Sequence, residues 1–363
     1  MDSQSPQEGF PNNSPKPAEH EPIAAQAANV PPRAAAHHDR PPRRPHSGAW
    51  TALILLFLGG LGLLVIGALV LTAFASLTGT PGEKRVREEY FSHNENGTRK
   101  VAIIAIEGVI MDETDGFVKR QIDRAMKDEQ VKAIVLRVNS PGGTVSGSDY
   151  LHHHLRELAK KREIPVVVSM GGIAASGGYY VAMAVGDSPD SIYAEPSTFT
   201  GSIGVIIPRY DLSEMLQGWG VEYDAVASGK FKSMGNMAKP MTEEERELFQ
   251  QIVDEGFGQF KDIIRSGRPK FREDPQALDA VATGQIFTSR QAVQNGLVDR
   301  IGFIENAVDR AIEIAALDPS AVQVVRYEPE PSLAGLLMGS EARGQSLDLR
   351  AILELTTPRA YYL

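Results

Sequence analysis

The chain has 363 residues, 42% of them hydrophobic, which is long and apolar enough to bury a substantial core. Its 46 acidic residues against 37 basic ones leave a net charge of -9, which argues against nucleic acid as a partner. There is no cysteine, so disulfides and thiol catalysis are excluded, while the compartment stays open because exported proteins can do without disulfides.

Residues 1–49 are rich in Pro, Ala, Gln, Asn and His and show no sustained apolar period. Such a segment cannot bury enough surface to fold, and a disordered tail without catalytic residues is expected. The apolar run 53–71 lies within an uncharged stretch from Trp50 to Gly82. It matches the ~20 residues of a membrane helix and exceeds the apolar core of a signal peptide. An uncleaved anchor is therefore expected over 50–77, followed by a linker over 78–99. Arg33, Arg40, Arg43 and Arg44 precede the run and Lys84, Arg85 and Arg87 follow it, so charge leans only slightly to a cytoplasmic N-terminus.

Beyond the linker, strand and helix patterns alternate. Strands are expected at 100–106, 131–139, 165–169, 191–194, 202–207 and 221–227, with a last one at 323–327. Helices are expected at 117–127, 145–161, from Ser176 to Val185, and at 242–266 and 303–316. The alternation predicts an α/β domain with parallel strands over 100–327, and periodicity equally allows a doubly wound sheet. The tail 328–363 carries no signal.

The strand at 165–169 runs into Met170-Gly171-Gly172-Ile173-Ala174-Ala175-Ser176-Gly177-Gly178-Tyr179-Tyr180. Small neighbours leave Ser176 accessible at a strand-to-helix turn, and the helix that follows aims free N–H groups at anything bonded to it. Helix capping is the competing reading of the same residues. Upstream, Asn139-Ser140-Pro141-Gly142-Gly143-Thr144 can turn backbone N–H groups outward, so the N–H groups of Gly143 and Gly177 are candidates for an oxyanion hole.

A serine nucleophile needs a base. His20, His37, His38 and His46 lie in the N-terminal tail and His93 just past the apolar run. His152, His153 and His154 are consecutive on a predicted helix, so they splay around its axis and read as a solvated face. No His-x-x-x-His pair or cysteine accompanies them, and no metal is assigned. Lysine can serve if an apolar pocket keeps it neutral. Ser228-Gly229-Lys230-Phe231-Lys232-Ser233-Met234-Gly235 offers Lys230 and Lys232, with Phe231 and Met234 as wall, and spacing alone does not choose between them.

These segments resemble the signal peptide peptidase A (SppA) family, membrane-anchored Ser/Lys proteases of the Clp protease and crotonase fold superfamily, over about residues 101–317. The resemblance implies a Clp protease/crotonase-like spiral of β-β-α units behind one transmembrane helix. It implies Ser176 as nucleophile, Lys232 as general base with Lys230 as a neighbour, and Gly143 and Gly177 as oxyanion donors. Ser202, in Thr200-Gly201-Ser202-Ile203-Gly204, would orient the lysine, and the block 284–302 would be architectural. The connection 186–191 is longer than usual, and 234–238 departs from the common continuation after the lysine.

The expected activity is endopeptidase cleavage of extended, mostly apolar peptides, including remnant signal peptides, with no cofactor. Peptides are expected to bind by strand addition. In short members of the family the serine and lysine of one site come from neighbouring subunits of a ring, so a homo-oligomer is implied. The N-terminus would be cytoplasmic and the catalytic domain extracytoplasmic. A crotonase-like acyl-CoA enzyme or a noncatalytic membrane scaffold are the alternatives, and neither needs both Ser176 and Lys232.

Overall fold

A computed structural model describes residues 57–62, 67, 86–112, 114, 116–330 and 360–362. The chain divides into two units, 1–68 and 69–363. In the first, the described residues 57–62 and 67 are helical. The expected disordered segment lies outside the described residues, as does most of the expected anchor. Among the described residues no helix is long and apolar enough to cross a membrane.

The second unit is α/β, built on a mostly parallel central sheet. Its spine is three long strands: β2 (Arg99–Ile110), β3 (Val131–Thr144) and β4 (Val166–Ala175), paired in parallel in that order. They are nearly continuous apolar runs, as strands covered on both faces must be. Alternate side chains serve opposite layers. Val101, Ile103, Ala133, Val135 and Val167 pack with Ala307, Val308, Ala311 and Ile312 of a late helix. Ala102, Ile104, Ile106, Ile134, Leu136 and Val168 enter the larger core on the other face.

That larger core is covered by α1 (Phe117–Lys127), α2 (Val145–Arg162), α3 (Gly177–Ala182) and, after the short α4 (Ser213–Gly218), the 25-residue α5 (Glu243–Gly267). Thr242 opens α5 with a capping box through Glu245. The short α6 (Pro269–Glu273) and α7 (Pro275–Val281) follow, and α8 (Ser289–Asn295) ends on Gly296 at φ 82. The late helix on the opposite face is α9 (Ile304–Ile314).

The remaining strands extend or branch the spine. β1 (Val86–His93) pairs antiparallel with β9 (Val322–Pro329), and β9 lies parallel beside β2. At the other side the sheet forks. Val168–Met170 of β4 pair with β5 (Ile192–Ala194), which carries β8 (Arg300–Ile301), whereas Ile173–Ala175 pair with β6 (Phe199–Gly201). β6 in turn pairs antiparallel with β7 (Ile286–Thr288). The block 284–302 is fastened by buried Arg268, which donates to the Gly296 carbonyl and to Asp299 at 2.6 Å. Asp299 also accepts the N–H groups of Ser191 and Ile192, at 3.0 and 2.9 Å.

Several expectations are corrected. The strand predicted at 221–227 does not form: Val221, Tyr223 and Ala225 alternate with Glu222 and Asp224, but all are exposed, and among the described residues no neighbouring strand offers its backbone partners. The strand predicted at 202–207 is displaced to 199–201, because Ser202 turns to φ 50 and breaks the extended run. Only an isolated bridge at Ile206 remains of it. The linker 78–99 contains β1, whose charged sequence hides its alternation. The tail taken as uninformative contains β10 (Tyr361–Tyr362), paired antiparallel with β3. Finally, β3 continues through the predicted turn to Thr144 with a register shift, rather than stopping at Asn139.

Candidate active site

Ser176 stands between the end of β4 and the start of α3 at φ 54 and ψ -118. A non-glycine residue rarely adopts such a conformation, which costs on the order of 1–3 kcal/mol and persists only where surroundings enforce it. The enforcement is visible: the Ser176 N–H donates to the Gly201 carbonyl at 2.7 Å, and the Ser176 carbonyl accepts from Tyr180 N–H at 2.9 Å. The side chain makes no capping bond to α3, contrary to the capping alternative. Its Oγ is buried, contrary to the accessible position expected from its small neighbours, and has no hydrogen-bond partner among the described residues.

The glycines pack beside this residue. Gly142 lies at φ 115, and a methyl group there would touch the Tyr362 carbonyl oxygen while lying 2.9 Å from Gly177 N and 3.0 Å from Ser176 Cβ. A methyl on Gly177 would lie 3.1 Å from Gly143 N. Ser176, Gly143 and Gly177 are thus brought together. Gly142 was missed, although it is the first glycine of the Pro-Gly-Gly signal and is the one at positive φ.

Ser202 occupies a position equivalent to Ser176 on the adjoining strand. Ala175 pairs with Gly201, so each serine is the first residue beyond a matched strand end. Both have positive φ. Ser202 is nearly buried, and its N–H donates to the Gln285 carbonyl at 2.8 Å.

Lys232 makes no hydrogen bond to Ser176, whose Oγ has no partner among the described residues. It is exposed on a run of turns, held by its N–H to the Gly229 carbonyl at 3.1 Å, and borders an open concavity with Tyr223, Val226 and Met234. The expected apolar wall around it is incomplete, since Phe231 is also exposed. Lys230 is engaged elsewhere, in an ion pair with Glu244 and 5.3 Å from the Phe231 ring centre.

The solvated reading of the histidine run needs correction at one position. His153 is exposed and His154 half-buried beside Glu157, at 3.5 Å. His152 is buried, its ring edge-on to Tyr180 with centres 5.5 Å apart. The three residues splay as expected, but α2 packs with α3, so one of the three directions must point inward. His153, His154 and Glu157 each bring a donor atom within 4.8 Å of the others on the outer face.

Burial, followed by the Arg156 charge, pushes the His152 imidazole down to about 4. The unfolded chain takes up this proton as pH falls through about 6.5, whereas the folded chain resists it until about 4. The stability contributed by the neutral ring is therefore present above the unfolded value and lost between the two, roughly 3 kcal/mol in all. Urea unfolding across this window is expected to show a falling midpoint, with a shallower fall in His152→Leu. Equal slopes in both proteins would refute the assignment.

Comparisons with known proteins bear on this geometry. The profile described as peptidase family S49 matches residues 158–318, a range that includes Ser176, Ser202 and Lys232. A putative protease of Synechocystis sp. is 34% identical, the match covering 69% of this chain and 86% of that protein. Protease 4 of Salmonella typhi is 36% identical over 66% of this chain and 38% of its own length, so the chain spans well under half of that relative. A putative signal peptide peptidase SppA of Enterococcus faecium is 33% identical over 63% of this chain and 67% of its own.

Proposed function

Because this chain belongs to peptidase family S49 and is a serine-type peptidase, we propose that Ser176 is the residue that attacks the scissile carbonyl. One observation carries this reading: a buried hydroxyl without a partner among the described residues, held at positive φ beside the Gly177 N–H. An unpaired buried hydroxyl is costly, and a nucleophile awaiting a substrate and a base accounts for it. Neither an acyl-CoA enzyme nor a membrane scaffold would need it.

In the proposed reaction the Ser176 hydroxyl bonds to the carbonyl carbon while the neutral Lys232 amine takes its proton. The N–H groups of Gly143 and Gly177 hold the oxyanion. Lys232 then gives the proton to the departing amine, and water completes hydrolysis of the acyl-serine. Lys232 comes from a neighbouring subunit, a reading supported by its exposure and by the unpartnered Ser176 Oγ. Ser202, level with Ser176 on the adjoining strand, positions the lysine amine.

The substrates are extended apolar peptides, remnant signal peptides among them, lying along β3 as an added strand. The passage of β4 from one strand partner to another supports a Clp protease/crotonase-like spiral. The apolar run at 53–71 supports a membrane anchor with the N-terminus cytoplasmic and the peptidase domain on the other side.

The direct test is labelling of the full chain in detergent by a fluorophosphonate, followed by peptide mapping. The adduct is expected on the peptide containing Ser176 and should be absent from Ser176→Ala. Stoichiometric labelling of a different serine, or none, would overturn the assignment.

A further inference from the structure

The outer face of α2 gathers three side chains that can bind a metal ion. Glu157 lies four residues after His153 and three after His154, so all three project from adjacent turns of one helix. The packing of α2 sets their direction. His152 takes the inward position against Tyr180 of α3, which leaves its two successors on the other side. One donor atom from each of His153, His154 and Glu157 lies within 4.8 Å of the other two. His154 Nδ1 stands 3.5 Å from a Glu157 carboxylate oxygen. Two ligands of a tetrahedral zinc ion, each about 2.0–2.1 Å from the metal, are about 3.4 Å apart. That pair therefore already has ligand spacing, and a small rotation of the exposed His153 ring closes the rest.

The surroundings hold these groups in the state a metal needs. The His154 ring rests edge-on against Tyr150, one turn earlier, with centres 4.4 Å apart. Burial, then the charges of Lys119 and His153, keep the His154 imidazole below its ordinary value, so its lone pair is available at neutral pH. Lys161 donates to the other Glu157 oxygen at 2.7 Å and holds that carboxyl below the usual range. A surface pair of this kind contributes little to stability by itself, but it orients the carboxylate, as a second group does for ligating carboxylates. A search for His-x-x-x-His passes over this site because the position four residues beyond His153 is a glutamate.

We infer that His153, His154 and Glu157 form a binding site for a divalent cation of the zinc class, apart from Ser176 and its oxyanion donors. Two imidazoles and one carboxylate are a donor set that zinc takes with a further position open. Calcium and magnesium are disfavoured, since they require oxygen ligands. A bound ion would tie two turns of α2 together, and α2 is the helix that begins directly after Gly143 and Thr144. The effect is on the stability of that helix, with no chemical step assigned to the metal.

The test is calorimetric titration of zinc chloride into the full chain in detergent, prepared without a histidine tag and stripped of metal by a chelator. His153→Ala and Glu157→Gln are the variants, both at positions outside the core, so the fold is expected to persist. The parent should bind zinc with a Kd below about 0.1 mM. Either variant should weaken this binding at least about tenfold. His20, His37, His38 and His46 offer other nitrogen donors, so the difference between parent and variants is the readout rather than total uptake. Zinc at about a hundred times its Kd should raise the unfolding temperature of the parent by about 5 °C, and that of His153→Ala by less. Zinc uptake and thermal shift that are the same in parent and both variants would overturn the site. Calcium competing on equal terms with zinc would overturn the imidazole ligands.

Discussion

Ser176→Ala is expected to reduce peptide cleavage by at least about a thousandfold while the protein folds and assembles as before. The loss follows from the loss of the covalent step, because the remaining N–H donors can still bind a carbonyl but nothing is left to attack it. The fold should tolerate the change. The Ser176 Oγ makes no hydrogen bond among the described residues, so its removal leaves no buried partner there unsatisfied. The strained backbone is held by bonds to Gly201 and Tyr180 that involve main-chain atoms alone. Thermal unfolding and size-exclusion profiles matching the parent, together with undetectable turnover of a fluorogenic peptide, would meet the expectation. Near-normal turnover by the purified variant would remove Ser176 from the mechanism.

Lys232→Ala is expected to be as inactive as Ser176→Ala, whereas Lys230→Ala should keep most of the activity. The contrast follows from their surroundings: Lys230 is paired with Glu244 on the surface, while Lys232 borders an open concavity. Co-expressing the two inactive variants should restore cleavage. If each site takes its serine from one subunit and its lysine from the next, random equal mixing leaves both residues intact at about a quarter of the sites. Recovery near that fraction in assemblies shown to contain both variants would support sharing. Mixed assemblies with no recovered cleavage would mean that serine and lysine act within one chain, through a movement of the 228–235 turns.

Much of the architecture was legible in the sequence because it rests on local rules. The helix at 117–127 coincides with α1, since its apolar spacing matches one helical face. β2, β3 and β4 were found as apolar runs, since strands covered on both faces exclude polar residues. The sharp turn at Ser176 was signalled by small residues on both sides, and the Pro-Gly-Gly segment marked a backbone that needs positive φ.

Other features depended on partners far away in the chain. The segment 221–225 has the alternation of a strand, but a strand exists only where another edge completes its hydrogen bonds, and none among the described residues does so there. Tyr361 and Tyr362 lack any such periodicity yet form a strand, because β3 and Ile206 supply both edges. His152 differs from His153 only in which way it points around α2, and the packing of α3 decides that it is buried. Local spacing and backbone sterics thus determined the longer helices, the long strands and the serine turn, whereas the short helices α4, α6, α7 and α8 were not read from the sequence. Tertiary structure alone decided which backbone edges are paired, which ring of a polar run is desolvated and what lies against Ser176, because those energies arise between residues that only the completed fold makes neighbours.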